Sequence, residues 1–212
     1  MTDTRVAGGA TTTRRRETTR RRLLDAAAQV FAEVGLDAAS VEAICDRAGF
    51  TRGAFYSNFG SKEELMLELT TQFAEQKLEQ VTERVRELEA TGEPLTATEL
   101  VQRILDVAID RRAGILLTSE IRTRAMRDPV LAQTYLAWQQ GLTDRVGGVI
   151  AELTGTYGLR PRLPENDIAR IILQTWEDTS AYAVIAGLDF EAMCTLVNER
   201  TAQLATALVD PA

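Results

Sequence analysis

The chain has 212 residues, of which 45% are hydrophobic, and a formal net charge of −7. This length allows one large domain or a small domain and a larger one, with enough apolar residues for a sizeable core. It contains no histidine, the commonest general base and metal ligand, so we expect neither an enzyme nor a metal or cofactor site.

The N-terminus lacks the apolar segment of a secretory signal, and no apolar run approaches the length of a membrane span. The two cysteines fit small buried side chains in a reducing compartment. We therefore expect a cytoplasmic protein.

Charge is distributed unevenly along the chain. Residues 1–62 contain ten basic and seven acidic residues, a net charge of +3, whereas residues 63–212 contain 14 and 24, a net charge of −10. A basic end on an acidic body lets only that end approach a polyanion such as DNA.

Residues 1–16 are small, polar or basic and are expected to form a disordered basic arm. Six of the nine residues from Arg14 to Arg22 are arginine. Such a run is by default a solvated charged surface. Its position directly before a DNA-binding motif makes phosphate or minor-groove contacts equally reasonable for Arg14, Arg15, Arg16 and Arg20.

Residues 17–62 are predicted to form a helix-turn-helix domain. A first helix spans about Glu17 to Val34, and Gly35 follows as its C′ residue. The stretch from Ser40 to Lys62 then reads as two short helices joined by a turn at Gly49. The second of these helices is capped by Thr51. Its residues Ala54 and Phe55 face the core, and an outward face remains for the major groove, with Thr51, Arg52, Tyr56 and Asn58.

Residues 63–212 are predicted to form a second, helical domain, to which the family resemblance described below assigns ligand binding and dimerisation. Ser61 and Glu64 form a capping box for a long helix that continues to about Glu89. No alternating strand pattern follows. The apolar periodicity predicts five more helices, which make the protein all-α with about nine helices: Thr96 to Arg111, one around Ile115–Ile121, Pro129 to about Leu153, Glu165 to Ala186, and a last one capped by Asp189.

The helix from Glu165 to Ala186 is apolar nearly all round and must be covered on both sides. The simplest cover is a second copy of the chain, with the last two helices of each protomer forming a four-helix contact. A central helix inside a monomer is the alternative. The residues predicted at the dimer interface are Leu173, Ala181, Val184, Ile185, Met193, Val197, Leu204 and Leu208.

The stretch from Leu24 to about Leu67 resembles the TetR (tetracycline-repressor) family of bacterial transcriptional regulators. The resemblance is carried by Ala48-Gly49, Phe55-Tyr56, Phe59 and the run from Ser61 to Leu65, together with residues of the first helix. Many members have histidine where this chain has Asn58. Beyond residue 70 only the number and length of the helices match.

The resemblance implies a homodimer on a palindromic operator, with DNA contacts from Ser40, Thr51, Arg52, Gly53, Tyr56, Asn58 and Lys62. The chemistry of these side chains agrees, since arginine pairs with a guanine edge and tyrosine reaches a phosphate. Tyr56 could instead be a half-buried core aromatic and Gly53 a packing glycine. Lys62, in the first turn of the long helix, is expected to bind phosphate.

The resemblance also implies a small-molecule effector in the C-terminal bundle, and release of a repressor from its operator. Candidate pocket residues are Phe73, Glu120, Met126, Tyr135, Trp138, Gln174, Trp176, Glu177 and Tyr182. The sequence does not show the ligand. Two alternatives remain open: a DNA-binding activator or architectural factor without a ligand, and a helical-bundle carrier or enzyme.

Overall fold

A computed structural model describes residues 7–92, 95, 97–105 and 112–210 of the chain. These residues form nine α-helices, and the all-α prediction is confirmed. The helices are α1 (Ala7–Ala38), α2 (Val41–Ala48), α3 (Arg52–Tyr56), α4 (Lys62–Thr91), α5 (Ala97–Leu105), α6 (Arg112–Ala125), α7 (Pro129–Thr156), α8 (Glu165–Ile185) and α9 (Phe190–Leu208). None of the described helices has the length and apolar character needed to cross a membrane.

The chain divides into two compact units, Met1–Thr70 (unit 1) and Thr71–Ala212 (unit 2). Helix α4 contains residues of both. The predicted domain boundary at residue 62 lies before the boundary between the units, because the first residues of α4, up to Thr70, belong to unit 1. The predicted basic arm, residues 1–16, does not form a separate unit.

Helix α1 begins at Ala7, ten residues before the predicted start. The prediction of a disordered arm up to residue 16 is therefore wrong for residues 7–16. Arginine favours helices, and no proline interrupts the run. Thr18 and Thr19 donate their hydroxyls to the carbonyls of Arg14 and Arg15, four residues earlier in this helix. Gly35 interrupts the helix with φ 79° and ψ 169°, as expected for a glycine at a helix end.

The interior of unit 1 consists of large apolar side chains that the helical spacing predicted. Ile44, Phe55, Phe59 and Leu65 are each 0% exposed. The rings of Phe55 and Phe59 lie 5.7 Å apart, so the end of α3 is fixed to the interior on one side.

Unit 2 is a bundle in which α7 packs on α8, α8 on α9, and α5 on α9. One apolar cluster joins α4 and α5 through Val85, Leu88, Leu100 and Ile104. A second joins α6, α8 and α9 through Ile115, Ala183, Met193 and Val197. Helix α5 ends at Leu105, and the predicted continuation to Arg111 lies outside the described residues.

A two-stranded antiparallel pairing was absent from the prediction. Strand β1 (Arg160–Pro161) pairs with β2 (Val209–Asp210), next to an ion pair between Arg162 and Asp210. Two-residue strands are too short to produce an alternating pattern, so this pairing depends on the tertiary structure.

Candidate nucleic-acid interface

Helices α2 and α3 are both held at their N-termini by side-chain caps. The Ser40 hydroxyl accepts the N–H of Ala43 at 3.1 Å, and the Thr51 hydroxyl accepts the N–H of Ala54 at 3.2 Å. Each hydroxyl satisfies a backbone donor that the helix leaves free. The two helix starts are therefore fixed by residues that are themselves exposed.

The turn between α2 and α3 is closed by Gly49, whose φ of 70° lies in the left-handed region. Its N–H donates to the Asp46 carbonyl at 3.2 Å, and the N–H of Phe50 donates to Cys45 at 2.9 Å. These bonds satisfy the last carbonyls of α2 and set the direction of α3.

Arg22 also holds this turn, a role that the sequence analysis missed. Its Nη2 donates to the Ala48 carbonyl at 2.8 Å, and its guanidinium carbon lies 4.7 Å from the centre of the Phe50 ring. Only its place in an arginine-rich helix was visible in the sequence, and that signal does not distinguish a cap from a phosphate contact.

The first turn of α3 presents an exposed polar surface. Thr51, Arg52 and Gly53 are exposed, and Tyr56 is 50% exposed. Half of the Tyr56 surface is therefore accessible to a DNA duplex. It packs edge-on against Phe55, with the ring centroids 5.2 Å apart.

Asn58 does not lie on the outward face, so that part of the prediction is wrong. It is 9% exposed, and its Nδ2 donates to the Ala54 carbonyl at 2.8 Å. Helix α3 ends at Tyr56, so Asn58 lies beyond the residues to which the helical spacing used in the prediction applies.

Lys62 is engaged by the protein itself. Its Nζ donates to the carbonyls of Leu36 and Ala39, both at 2.6 Å, and lies 5.7 Å from the centre of the Phe31 ring. The ammonium group thus holds the connection between α1 and α2. The expected phosphate site is occupied by backbone carbonyls because that connection passes beside the start of α4.

Arg20 is likewise directed inward rather than toward solvent. Its guanidinium donates to Glu68 Oε1 at 2.7 Å and to the Asn58 carbonyl, and it stacks 4.3 Å from the Phe59 ring centre. Its pKa is raised, first by the hydrogen bond with Glu68. Arg20 is therefore a support for the end of α3, whereas Arg14, Arg15 and Arg16 are exposed, with Arg16 3.5 Å from the Ser57 carbonyl.

Glu42 is a second residue that the sequence analysis missed at this face. Its Oε1 lies 2.7 Å from Arg52 Nη1. The pair brings together residues on either side of the turn, so nothing in the linear spacing marks it.

In unit 2, the residues predicted for a ligand pocket separate into an interior and an exposed set. Tyr135 is 5% exposed, and Phe73, Glu120, Trp138, Trp176 and Glu177 are partly buried. Met126 and Tyr182 are 75% and 54% exposed, and Gln174 is exposed, so these three candidates do not lie in the interior of unit 2. They lie on the solvent side of their helices, which periodicity alone did not reveal.

Tyr135 and Trp138 form the most unusual part of this interior. Their ring centroids are 5.5 Å apart, and neither Tyr135 Oη nor Trp138 Nε1 has a hydrogen-bond partner among the described residues. Burial and the nearby Glu177 carboxylate raise the pKa of Tyr135 to about 12, while Arg122 opposes the shift. Arg122 Nη1 is 3.7 Å from Glu177 Oε2.

The residues predicted for a dimer interface also separate. Met193 and Val197 are 4% and 0% exposed within their own chain, so they are unavailable to a partner and that prediction is wrong. Ile185 is 84% exposed, and Leu173, Ala181, Val184, Leu204 and Leu208 are partly buried. The exposed apolar surface around Ile185, where α8 ends and α9 begins, also includes Tyr182, Leu188 and Phe190.

Comparison with known proteins agrees with this geometry. The sequence profile described as "Bacterial regulatory proteins, tetR family" matches residues 23–69. The HTH-type transcriptional repressor KstR2 of Rhodococcus jostii is 41% identical over 76 residues, which cover 36% of this chain and only 35% of KstR2. The HTH-type transcriptional regulator UidR of Escherichia coli is 26% identical over 169 residues, which cover 80% of this chain and 81% of UidR.

The solved structure of a TetR transcription regulator from Haloarcula marismortui shares the fold. Its TM-score is 0.68 at 12% identity, and the match covers 92% of this chain and all of that one, 100%. Residues 23–69 are thus similar to the regulators of the TetR family, and the chain shares the all-helical fold of a solved TetR regulator.

Proposed function

We propose that the chain is a cytoplasmic, homodimeric repressor that binds a palindromic operator through α3 and is released by a small molecule. The observation that carries the DNA-binding part is the exposed first turn of α3, with Arg52 and Tyr56 outward and the helix start capped by Thr51. The relative KstR2 is named a transcriptional repressor, and we propose that this chain also represses transcription.

Arg52 is the residue best suited to read a base. Its guanidinium is exposed, and bidentate pairing with the O6 and N7 of guanine is worth about 1–3 kcal/mol of discrimination. Gly53 allows the backbone to approach DNA closely, and the Tyr56 hydroxyl can donate to a phosphate. Ser40 and Thr51 add phosphate contacts that position the protein without reading sequence. Arg14, Arg15 and Arg16 extend these contacts along the backbone.

A second copy of the chain is needed because unit 1 of a single chain has a small positive charge and a short recognition helix, α3, of five residues. The exposed apolar side chains at the end of α8 and the start of α9 support an isologous contact there: Tyr182, Ile185, Leu188 and Phe190. Two chains joined in this way double the DNA contacts and require two operator half-sites at a fixed spacing.

The unpaired Tyr135 hydroxyl and Trp138 indole support an effector site in unit 2. A buried donor without a partner costs about 1–3 kcal/mol. The indole N–H is a donor only, so its complement must be an acceptor. The effector is accordingly a molecule with an acceptor oxygen on an apolar body, held between α7 and the Arg122–Glu177 pair.

Release requires that the effector prefer the form of the dimer that does not fit the operator. A 100-fold preference shifts the equilibrium by about 2.7 kcal/mol. Helix α4 contains residues of both units and is the element through which we expect the shift to pass.

The DNA-binding proposal is tested by selecting genomic fragments with the full-length protein and titrating the recovered duplex by fluorescence anisotropy at fixed salt. Arg52→Ala and Tyr56→Ala should each weaken binding about 5- to 150-fold. Arg86→Ala removes an equally exposed arginine from unit 2 and should have little effect. Unchanged affinity for both α3 variants would refute the assignment of the site.

The dimer and the effector have separate tests. Ile185→Glu should produce monomers in sedimentation at micromolar concentration, and a wild-type monomer would refute the dimer. For the effector, Trp176→Phe leaves Trp138 as the one tryptophan. Its emission should change with the aromatic ketones of a metabolite panel and not with hydrocarbons of the same shape, and the ketones should release the operator duplex.

A further inference from the structure

An ion pair at the DNA-facing surface joins the two helices of the motif. Glu42 lies in the first turn of α2, and Arg52 is the first residue of α3. Their closest atoms, Glu42 Oε1 and Arg52 Nη1, are 2.7 Å apart, and their side chains are 53% and 61% exposed. The pair is therefore formed at the surface, where a DNA duplex can reach both groups.

Arg52 is held on a second side by Tyr56. The guanidinium carbon lies 6.0 Å from the centre of the Tyr56 ring. The pKa of Arg52 is raised, first by a hydrogen bond with Tyr56 and then by the Glu42 carboxylate. With one amino group directed to Glu42, the guanidinium has a defined orientation and keeps other N–H groups for a further acceptor.

A carboxylate at this position acts differently on the two kinds of DNA contact. Non-specific binding depends on phosphates, and any phosphate that approaches Arg52 also approaches the negative charge of Glu42. A guanine edge is uncharged and presents two acceptors in a fixed geometry, so it is repelled less and gains more from an oriented guanidinium.

We infer that Glu42 is a positioning residue that sets the sequence specificity of the protein: it orients Arg52 for a base edge and lowers the affinity of this face for phosphates. The inference rests on the proposed role of Arg52 in reading DNA. It assigns a specificity function to an acidic residue in a surface that binds a polyanion.

A matched control exists in the same unit. Arg47 Nη2 and Glu33 Oε2 lie 2.6 Å apart, with side chains 39% and 54% exposed. This pair joins α2 to α1 and does not involve α3. Neutralising Glu33 changes the net charge of the protein by the same amount as neutralising Glu42. The control therefore distinguishes an effect of the position of Glu42 from an effect of the overall charge.

The experiment compares Glu42→Gln with Glu33→Gln in the full-length protein, on the selected operator duplex and on a scrambled duplex of equal length, over a series of KCl concentrations. Glu42→Gln should raise affinity for the scrambled duplex and reduce the operator-to-scrambled ratio about two- to fivefold, the range that an exposed ion pair supports. The salt dependence on scrambled DNA should steepen by about one phosphate contact. Glu42→Asp should recover part of the ratio, and Glu33→Gln should leave it unchanged.

The double variant Glu42→Gln/Arg52→Ala shows whether Glu42 acts through Arg52. Its ratio should equal that of Arg52→Ala alone, because no guanidinium remains to be oriented. An equal loss of ratio in Glu33→Gln, an unchanged ratio in Glu42→Gln, or a persistent effect of Glu42→Gln in the Arg52→Ala background would overturn the inference. If Arg52→Ala itself leaves the ratio unchanged, the proposed base contact fails, which is a result distinguishable from the failure of Glu42.

Discussion

The two units of this protein build their functional surfaces from residues at very different distances along the chain. In unit 1, the exposed polar face comes from residues 40–56, two short helices and one turn. In unit 2, the candidate effector site combines Arg122 of α6, Tyr135 and Trp138 of α7, and Glu177 of α8. A local surface follows from spacing and caps, whereas a site spread over three helices depends on how those helices pack.

The polar groups at the two candidate sites are held differently, although the buried Asn58 Oδ1 of unit 1 also lacks a partner among the described residues. The caps Ser40 and Thr51 and the side chains of Arg22 and Lys62 satisfy backbone groups next to the α2–α3 motif, which rigidifies it. The interior of unit 2 holds the Tyr135 hydroxyl and the Trp138 indole without partners among the described residues. Rigid presentation suits the reading of DNA, and unpaired buried donors suit an interior that binds something.

The largest effect is expected for Phe55→Ala. Loss of this fully buried ring should destabilise unit 1 by about 3–5 kcal/mol and abolish DNA binding. Both tryptophans lie in unit 2, so denaturation followed by tryptophan emission should be unchanged while circular dichroism shows an earlier loss of helix.

Val197→Ala is the matching change in unit 2, where the side chain is 0% exposed. It should shift the tryptophan transition by about 1–3 kcal/mol. If Phe55→Ala moved the tryptophan transition as far as the circular dichroism transition, the two units would unfold as one and the comparison between them would lose its basis.

Lys62→Met is expected to have the next largest effect. It leaves the carbonyls of Leu36 and Ala39 without their shared donor and should cost about 1–3 kcal/mol in the stability of unit 1. The slope of operator affinity against salt should not change. A slope reduced by about one contact without a loss of stability would show that Lys62 binds phosphate, as the sequence predicted.

The helix caps should have a smaller effect, similar in both units. Ser40→Ala, Thr51→Ala and Asp189→Ala each remove the acceptor for a backbone N–H and should cost about 1 kcal/mol. In unit 1 the loss should be accompanied by weaker operator binding, and in unit 2 it should not. Equal losses of operator affinity for all three variants would show that the caps of α2 and α3 have no special role in DNA binding.

The smallest effect, absent at neutral pH, concerns Tyr135. Its pKa is raised from about 10 in the unfolded chain to about 12 on folding. The unfolded state releases the proton first, so this group's contribution to stability is complete below pH 10 and decreases as pH rises toward 12. Tyrosinate absorbance should show one late-titrating group that is missing in Tyr135→Phe. A spectrum unchanged by that substitution would contradict the burial of this hydroxyl.

Much of unit 1 was predictable because its signals are local. The two short helices, the turn at Gly49 and the cap at Thr51 all appear where they were predicted. The errors there are Asn58, which follows the end of α3, and Lys62, whose partners Leu36 and Ala39 lie outside its own helix. Helical spacing carries no information about such contacts.

In unit 2 the helices were predicted, but the side of each helix that faces the interior was not. Met126 and Tyr182 were candidates for the pocket but are exposed, and Val197 was expected at a dimer interface but lies in the core of its own unit. An apolar residue on a nearly uniform apolar helix can face either way, and only the neighbouring helices decide.

The sequence by itself determined that this chain is helical, where most of its helices begin and end, and that its basic N-terminal part carries a DNA-binding motif. Apolar spacing, capping residues and charge are properties of short stretches of sequence, and each can be recognised without knowledge of the fold. Only the tertiary structure decided that Arg20 and Lys62 support the motif instead of facing DNA, and that Glu42 lies beside Arg52. Those contacts join residues from different helices, and their distances depend on how the helices pack.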